Sequence, residues 1–127
     1  MYIEITETEL AWLVQQKRPE KVPVELDLVK ENALRIVVDI KLFKLTITLS
    51  NPSMNKEGWL RFDVSPADIG SFMKLLMKAK PELRDRIRSK PGRLAVKMPE
   101  ELLDRVAIKE IRFEEGRVTV EAGLMKV

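Results

Sequence analysis

Two stretches of the chain place a serine three residues before a lysine, Ser53-Met54-Asn55-Lys56 and Ser71-Phe72-Met73-Lys74. In acyl-transfer enzymes that spacing lets an amine take the hydroxyl proton, but it works beside Ser-Asp-Asn and Lys-Thr-Gly partners, and neither is present. The adjacent acids Glu100-Glu101 and Glu114-Glu115 invite comparison with the two carboxylates of a glycosidase. Neighbouring side chains diverge in a helix or a turn, so these pairs read as a helix start and a turn. Asp63, Asp68 and Glu57 lack the oxygen-ligand spacing of a calcium loop. Cysteine and histidine are both absent, which removes thiolate nucleophiles, imidazole bases, disulfides and nearly every zinc site. No catalytic residue, metal ligand or cofactor is expected, and the chain reads as a non-enzymatic binding domain.

The 127 residues, 45% apolar and 34% charged, are the size and balance of one globular domain spanning 1–127. No run approaches the roughly 18 apolar residues of a transmembrane helix. The start, Met-Tyr-Ile-Glu-Ile-Thr-Glu, is acidic where a signal peptide is basic, so a soluble, cytoplasmic protein is expected. Glutamine occurs only at Gln15 and Gln16, and asparagine only at Asn32, Asn51 and Asn55, a thermophile-like composition.

Net charge is +3, but it is unevenly placed. Between Lys74 and Lys97 nine cations face only Glu82 and Asp85, a local +7 that leaves −4 for the rest. A charge surplus of this kind concerns partners rather than fold, and it suggests an anionic one.

The elements that position these residues follow from periodicity. Met1–Ile5 reads as a short strand. Thr6 with Glu9 three residues on forms a capping box, and Leu10, Leu13 and Val14 carry a helix over Glu7–Lys17 until Pro19 and Pro23. From Val24 the period becomes two. Leu34, Ile36, Val38, Ile40 and Leu42 share one face, and at Phe43 the frame slips by one before Leu45, Ile47 and Leu49. No turn residue sits at the slip, which favours one long, bulged, curved strand over two. Asn51–Gly58 reads as a polar loop and Trp59–Val64 as a strand. Ser65 as N-cap, Pro66 at N1 and Asp68 at N3 start a long helix reaching Lys80, with Ile69, Phe72, Met73, Leu76 and Met77 as its apolar face. Pro81 begins a further helical piece through Arg88, and Pro91-Gly92 is a turn. Leu94–Met98 is a strand, Pro99–Leu103 a helical turn, and Val106–Leu124 a hairpin about Glu115-Gly116.

The fold expected is α+β, a strongly curved, mainly antiparallel sheet packed on one long amphipathic helix with a shorter N-terminal helix. Such a sheet can enclose an apolar groove. The residues expected to line it are Ile36, Val38, Phe43, Leu45, Phe62, Phe72, Met73, Leu76 and Met77. Lys74, Lys78, Arg84, Arg88 and Arg93 are the candidate anion-binding set. The leading expectation is a binding domain for a lipid or other apolar small molecule. The alternative is a homo-oligomer that uses the same apolar surface as an interface. A third is binding of nucleic acid through Lys74–Lys97, against which the seven aromatic residues, most at inward positions, offer no exposed stacking platform.

The order of elements carries a family resemblance. It runs from Ile-Thr-Glu-x-Glu-Leu at Ile5–Leu10 through alternating strands and an amphipathic helix to Pro99. It closes on Ile-x-x-Ile-x-Phe-x-x-Gly-x-Val-x-Val at Ile108–Val120, and Leu94–Leu124 is the most suggestive part. This pattern resembles the LmeA-like proteins of the tubular lipid-binding (TULIP) superfamily. The resemblance implies a curved sheet wrapped on a long helix, an apolar molecule in the groove, and no catalysis. Those proteins are commonly exported and longer, so here the groove would be small, and a second copy could close it.

Overall fold

The computed structural model describes residues 1–18, 22–40 and 43–124, with the side chains of Ile40 and Phe43 outside the description. The expected stop at Pro19 and the face position of Leu42 therefore also lie outside the described residues. The described residues form an α+β structure whose strand pairings are all antiparallel.

Strand β1 (Tyr2–Thr6) leads directly into helix α1 (Glu7–Lys17). The junction is a capping box: Thr6 Oγ1 accepts from the Glu9 N–H at 3.2 Å, and Glu9 Oε1 accepts from the Thr6 N–H at 3.3 Å. Each bond occupies a backbone or side-chain group that a helix start otherwise leaves to water.

Next come β2 (Val24–Lys30), β3 (Ala33–Ile40), β4 (Phe43–Met54) and β5 (Trp59–Ser65). Here the structure corrects the single long strand expected over Leu34–Leu49. β3 and β4 are two strands paired antiparallel, with Ile36 opposite Ile47 and Ile40 opposite Phe43. In that register even-numbered β3 residues face odd-numbered β4 residues. The one-residue slip is thus what keeps both apolar sets on one face. A second correction concerns Asn51-Pro52, which lie within β4 rather than in a loop. They form its irregularity between Ser50 and Ser53, with Asn51 at φ 50°.

Helix α2 spans only Gly70–Ala79, ten residues and one fewer than α1, not the expected Ser65–Lys80. Residues before Gly70 are committed elsewhere: the Ala67 carbonyl accepts from the Gly92 N–H and the Gly92 carbonyl from the Val64 N–H, both at 2.9 Å. Asp68 Oδ1 instead accepts from the Gly70 N–H at 2.9 Å. The piece beyond Pro81 is a 3-10 turn to Asp85, after which β6 (Ile87–Lys90) pairs with β7 (Arg93–Lys97) about the Gly92 turn. Arg88 therefore sits on a strand, not a helix. Helix α3 (Glu100–Leu103) precedes the hairpin of β8 (Val106–Glu114) and β9 (Arg117–Leu124).

The strands form two sheets, of order β2-β3-β4-β5-β7-β6 and β1-β9-β8. One face of the larger sheet is apolar, since Leu34, Ile36 and Val38 pair with Leu49, Ile47 and Leu45, and Leu49 with Val64. Two elements cover that face side by side. Helix α2 buries Phe72 and Met73 against Val38, Ile47 and Val64. The smaller sheet buries Phe113 and Val118 against Leu34 and Val29. Burial of such side chains, each contributing about 1.5–3 kcal/mol, is what fixes both docking positions. Backbone bonds then join the sheets at one end: the Gly116 N–H donates to the Val29 carbonyl and the Asn32 N–H to the Phe113 carbonyl, each at 2.9 Å.

Candidate functional site

Between the two sheets lies an apolar groove of about 390 Å³ lined by sixteen side chains, all of them apolar. Leu34, Leu49, Leu60 and Phe62 form its floor on the larger sheet. Ile3 and Ile5 of β1, Ile108, Ile111 and Phe113 of β8, and Val118, Val120 and Ala122 of β9 form its roof. Strand alternation explains this composition, because every second residue of β1, β9 and the end of β8 points at the larger sheet. Leu10 of α1, Leu102 of α3, Met98 and Val106 complete the walls.

The groove has a closed and an open end. At the closed end the rings of Phe62 and Phe113 stack, centroids 6.0 Å apart and planes within 7°, next to buried Leu34 and Val118. At the other end Ile3 and Leu102 are exposed to solvent although both line the groove. Helix α3 is held there by Gly58, whose left-handed φ of 88° brings its backbone against the methyl groups of Leu103. Ligand sites commonly occupy about 300–1,000 Å³ and are mostly apolar, so the groove has the volume and chemistry for an acyl chain. It offers no polar side chain to a headgroup.

The structure distributes the expected lining residues differently. Phe62 lines this groove. Val38, Phe72 and Met73 are buried in the cluster beneath α2, with Ile36, Leu45, Leu76 and Met77 packed against it. Ile36 also borders the second cluster, and the Phe43 side chain lies outside the described residues. Sequence reasoning missed the roof. Its signal was present in the alternation of Ile3/Ile5, Ile111/Phe113 and Val118/Val120, but alternation names a face without naming the sheet it meets.

The basic residues also separate. Arg88 and Arg93 line a cleft of about 410 Å³ on the opposite, outer face of the larger sheet, together with Arg61, Lys90 and Trp59. Lys74 and Lys78 are exposed on α2 and Arg84 on the 3-10 turn, outside that cleft. Among the aromatic residues Tyr2 and Trp12 are exposed, at 64% and 62%, and Trp59 faces outward, whereas Phe72 and Phe113 are buried. Arg88 lies over the Trp59 ring, 4.1 Å from its centroid.

The chemistry-bearing motifs occupy unremarkable positions. Ser53, Lys56, Ser71 and Lys74 are exposed, Glu100 and Glu101 open α3, and Glu114 pairs with Arg117 at 2.7 Å. Two guanidinium groups are held above their ordinary range, Arg112 by its hydrogen bond to Glu110 and Arg117 by its hydrogen bond to Glu114. Both lie on the smaller sheet, away from the groove. Among the described residues no cluster of acids could hold a metal ion, and no helix is long and apolar enough to cross a membrane. Compared with protein-family models, curated proteins and solved structures, the chain matches none of them.

Proposed function

We propose that the protein binds an apolar molecule, an acyl chain or a ligand of similar shape, in the groove between its two sheets. The observation that carries this proposal is a groove of about 390 Å³ lined only by apolar side chains and open to solvent at Ile3 and Leu102. A chain entering there gains about 0.8 kcal/mol for each methylene taken out of water, before the cost of ordering it. The ligand class is the one implied by the resemblance to LmeA-like proteins. The location differs, since the groove lies between sheets rather than between a strongly curved sheet and a long helix. No step of chemistry is assigned to the site.

A second arrangement draws on the same rim. Exposed Ile3 and Leu102 would also be covered if a second copy met the groove mouth, giving a symmetric homo-oligomer. Organic extraction of the purified full chain, followed by titration with a polyene fatty acid that fluoresces in apolar surroundings, tests the primary proposal. The expected result is saturation at one probe per chain. Fluorescence no higher than that of a chain whose groove is filled by Ala122→Phe overturns it. Sedimentation velocity with and without the probe reads the second arrangement, which requires a dimer that the probe dissociates.

A further inference from the structure

On the outer face of the larger sheet, the side chains of β5, β7 and β6 form a grid with one small residue at its centre. Ala95 of β7 lies opposite Arg61 of β5 on one side and opposite Arg88 of β6 on the other. One step along β7, Arg93 lies opposite Asp63 and Lys90, and one step the other way Lys97 lies opposite Trp59. Long cationic arms therefore surround a methyl group, and the depression they leave is the cleft of about 410 Å³.

The charges in this cleft are only partly compensated, four cations standing against the single carboxylate of Asp63. Among the described residues the ion pairs are Arg35–Asp27, Arg112–Glu110 and those of Arg117, and none includes Arg61, Arg88, Lys90 or Arg93. Asp63 is the carboxylate of the cleft, and its Oδ2 already accepts from Asn51 Nδ2 at 2.6 Å. Arg88 is held by the Trp59 ring, an interaction that orients a guanidinium without neutralising it. Lys97 Nζ donates to the Glu57 carbonyl and stands 5.8 Å from the same ring. Four like charges brought to one concave site repel one another, and an anion relieves that repulsion.

We infer that this cleft is a binding site for a small, multiply phosphorylated anion, seated over Ala95. Three arginines favour phosphate oxygens, because the planar guanidinium matches two oxygens at once. Adjacent strands stand about 4.8 Å apart and alternate residues about 7 Å apart, so the cations span more than one phosphate covers and linked phosphates engage more of them. The surplus is also confined. On the neighbouring strands β3 and β4 the outward cations are fewer and each stands beside an acid, Arg35 in an ion pair with Asp27 and Lys44 opposite Asp39 in register, which gives no track for a long polyanion. The site lies on the opposite side of the sheet from the apolar groove and does not depend on it.

Inorganic pyrophosphate is the probe. Calorimetry and backbone NMR on the full chain at low salt are expected to show saturable binding at least about tenfold tighter than inorganic phosphate, with shifts centred on Arg61, Ala95 and Arg88. Each of Arg61→Gln and Arg88→Gln should weaken binding about tenfold or more, as expected for loss of one charge-assisted bond, while Lys74→Gln on α2 leaves it unchanged. The NMR map on the unsubstituted chain stands even where a variant folds poorly. Absence of saturable binding, shifts elsewhere, or equal weakening by Lys74→Gln overturns the inference. So does binding seen only with single-stranded DNA or only with vesicles of anionic lipid.

Discussion

Phe62 and Phe113 come from different sheets and stack with parallel rings, centroids 6.0 Å apart. Phe62 stands on the larger sheet and Phe113 on β8, so this pair is where the smaller sheet is fastened to the larger, at the closed end of the groove. Phe113 is buried with Val29, Leu34 and Val118. Phe113→Ala removes the ring and leaves a void beside a groove that already exists, and should lower stability by about 3–5 kcal/mol. Urea unfolding measures this. A loss below about 1 kcal/mol would show that the sheets are held together elsewhere.

Asn51 provides a second check, on the irregularity inside β4. Its backbone stands at φ 50°, its side-chain oxygen accepts from Asn32 Nδ2 at 2.7 Å, and its amide donates to Asp63 at 2.6 Å. Asn51→Ala loses these bonds and puts a residue that tolerates the left-handed region less well than asparagine at φ 50°, a combined cost of about 2–3 kcal/mol. Asn51→Gly loses the bonds but not the backbone tolerance, so about half that cost is expected. The difference between the two midpoints in thermal unfolding isolates the backbone contribution.

Thr6 ties β1, a roof strand of the groove, to α1. Thr6→Ala removes the acceptor for the Glu9 N–H and should cost about 1 kcal/mol, whereas Thr6→Ser keeps it and should be nearly neutral. Denaturation of the three chains side by side distinguishes them. Equal stability of the alanine and wild-type chains would mean that the cap is replaced by water at no cost.

Ala122 is almost fully buried, at 1% exposure, and lines the groove. Ala122→Phe therefore forces its ring past close neighbours into the groove, so cooperative unfolding should persist with a destabilisation of about 1–3 kcal/mol. Circular dichroism during heating measures it, and loss of the cooperative transition would show that the groove is tighter than its volume indicates.

Local chemistry made much of this fold legible in advance. The capping box at Thr6, helix α1 and the β8–β9 hairpin about Glu115-Gly116 are each set by residues within a few positions of one another. The errors arose where distant partners decide. Ser65, Pro66 and Asp68 carry a helix start in their own types, but the backbone of Ala67 is bound to Gly92, a residue brought close only by β7. The slip at Phe43 fits a bulge as well as a reversal until β4 is seen to pair back on β3. The same limit governed the site: Phe72, Met73, Leu76 and Phe62 look equally apolar in sequence. Docking of α2 fills the space around the first three, while the smaller sheet leaves space above Phe62. Arg88 was legible as a cation, but its place over Trp59 needed the β6–β7 pairing.

The central claim is that an apolar chain occupies the groove between the sheets, and methyl NMR of the full chain titrated with decanol tests it most directly. The predicted result is a saturable set of shifts at Leu60, Ile108 and Val120, absent in a folded Ala122→Phe chain and small at Leu76 beneath α2. Shifts that fail to saturate, or that are as large at Leu76 as at Val120, would contradict it.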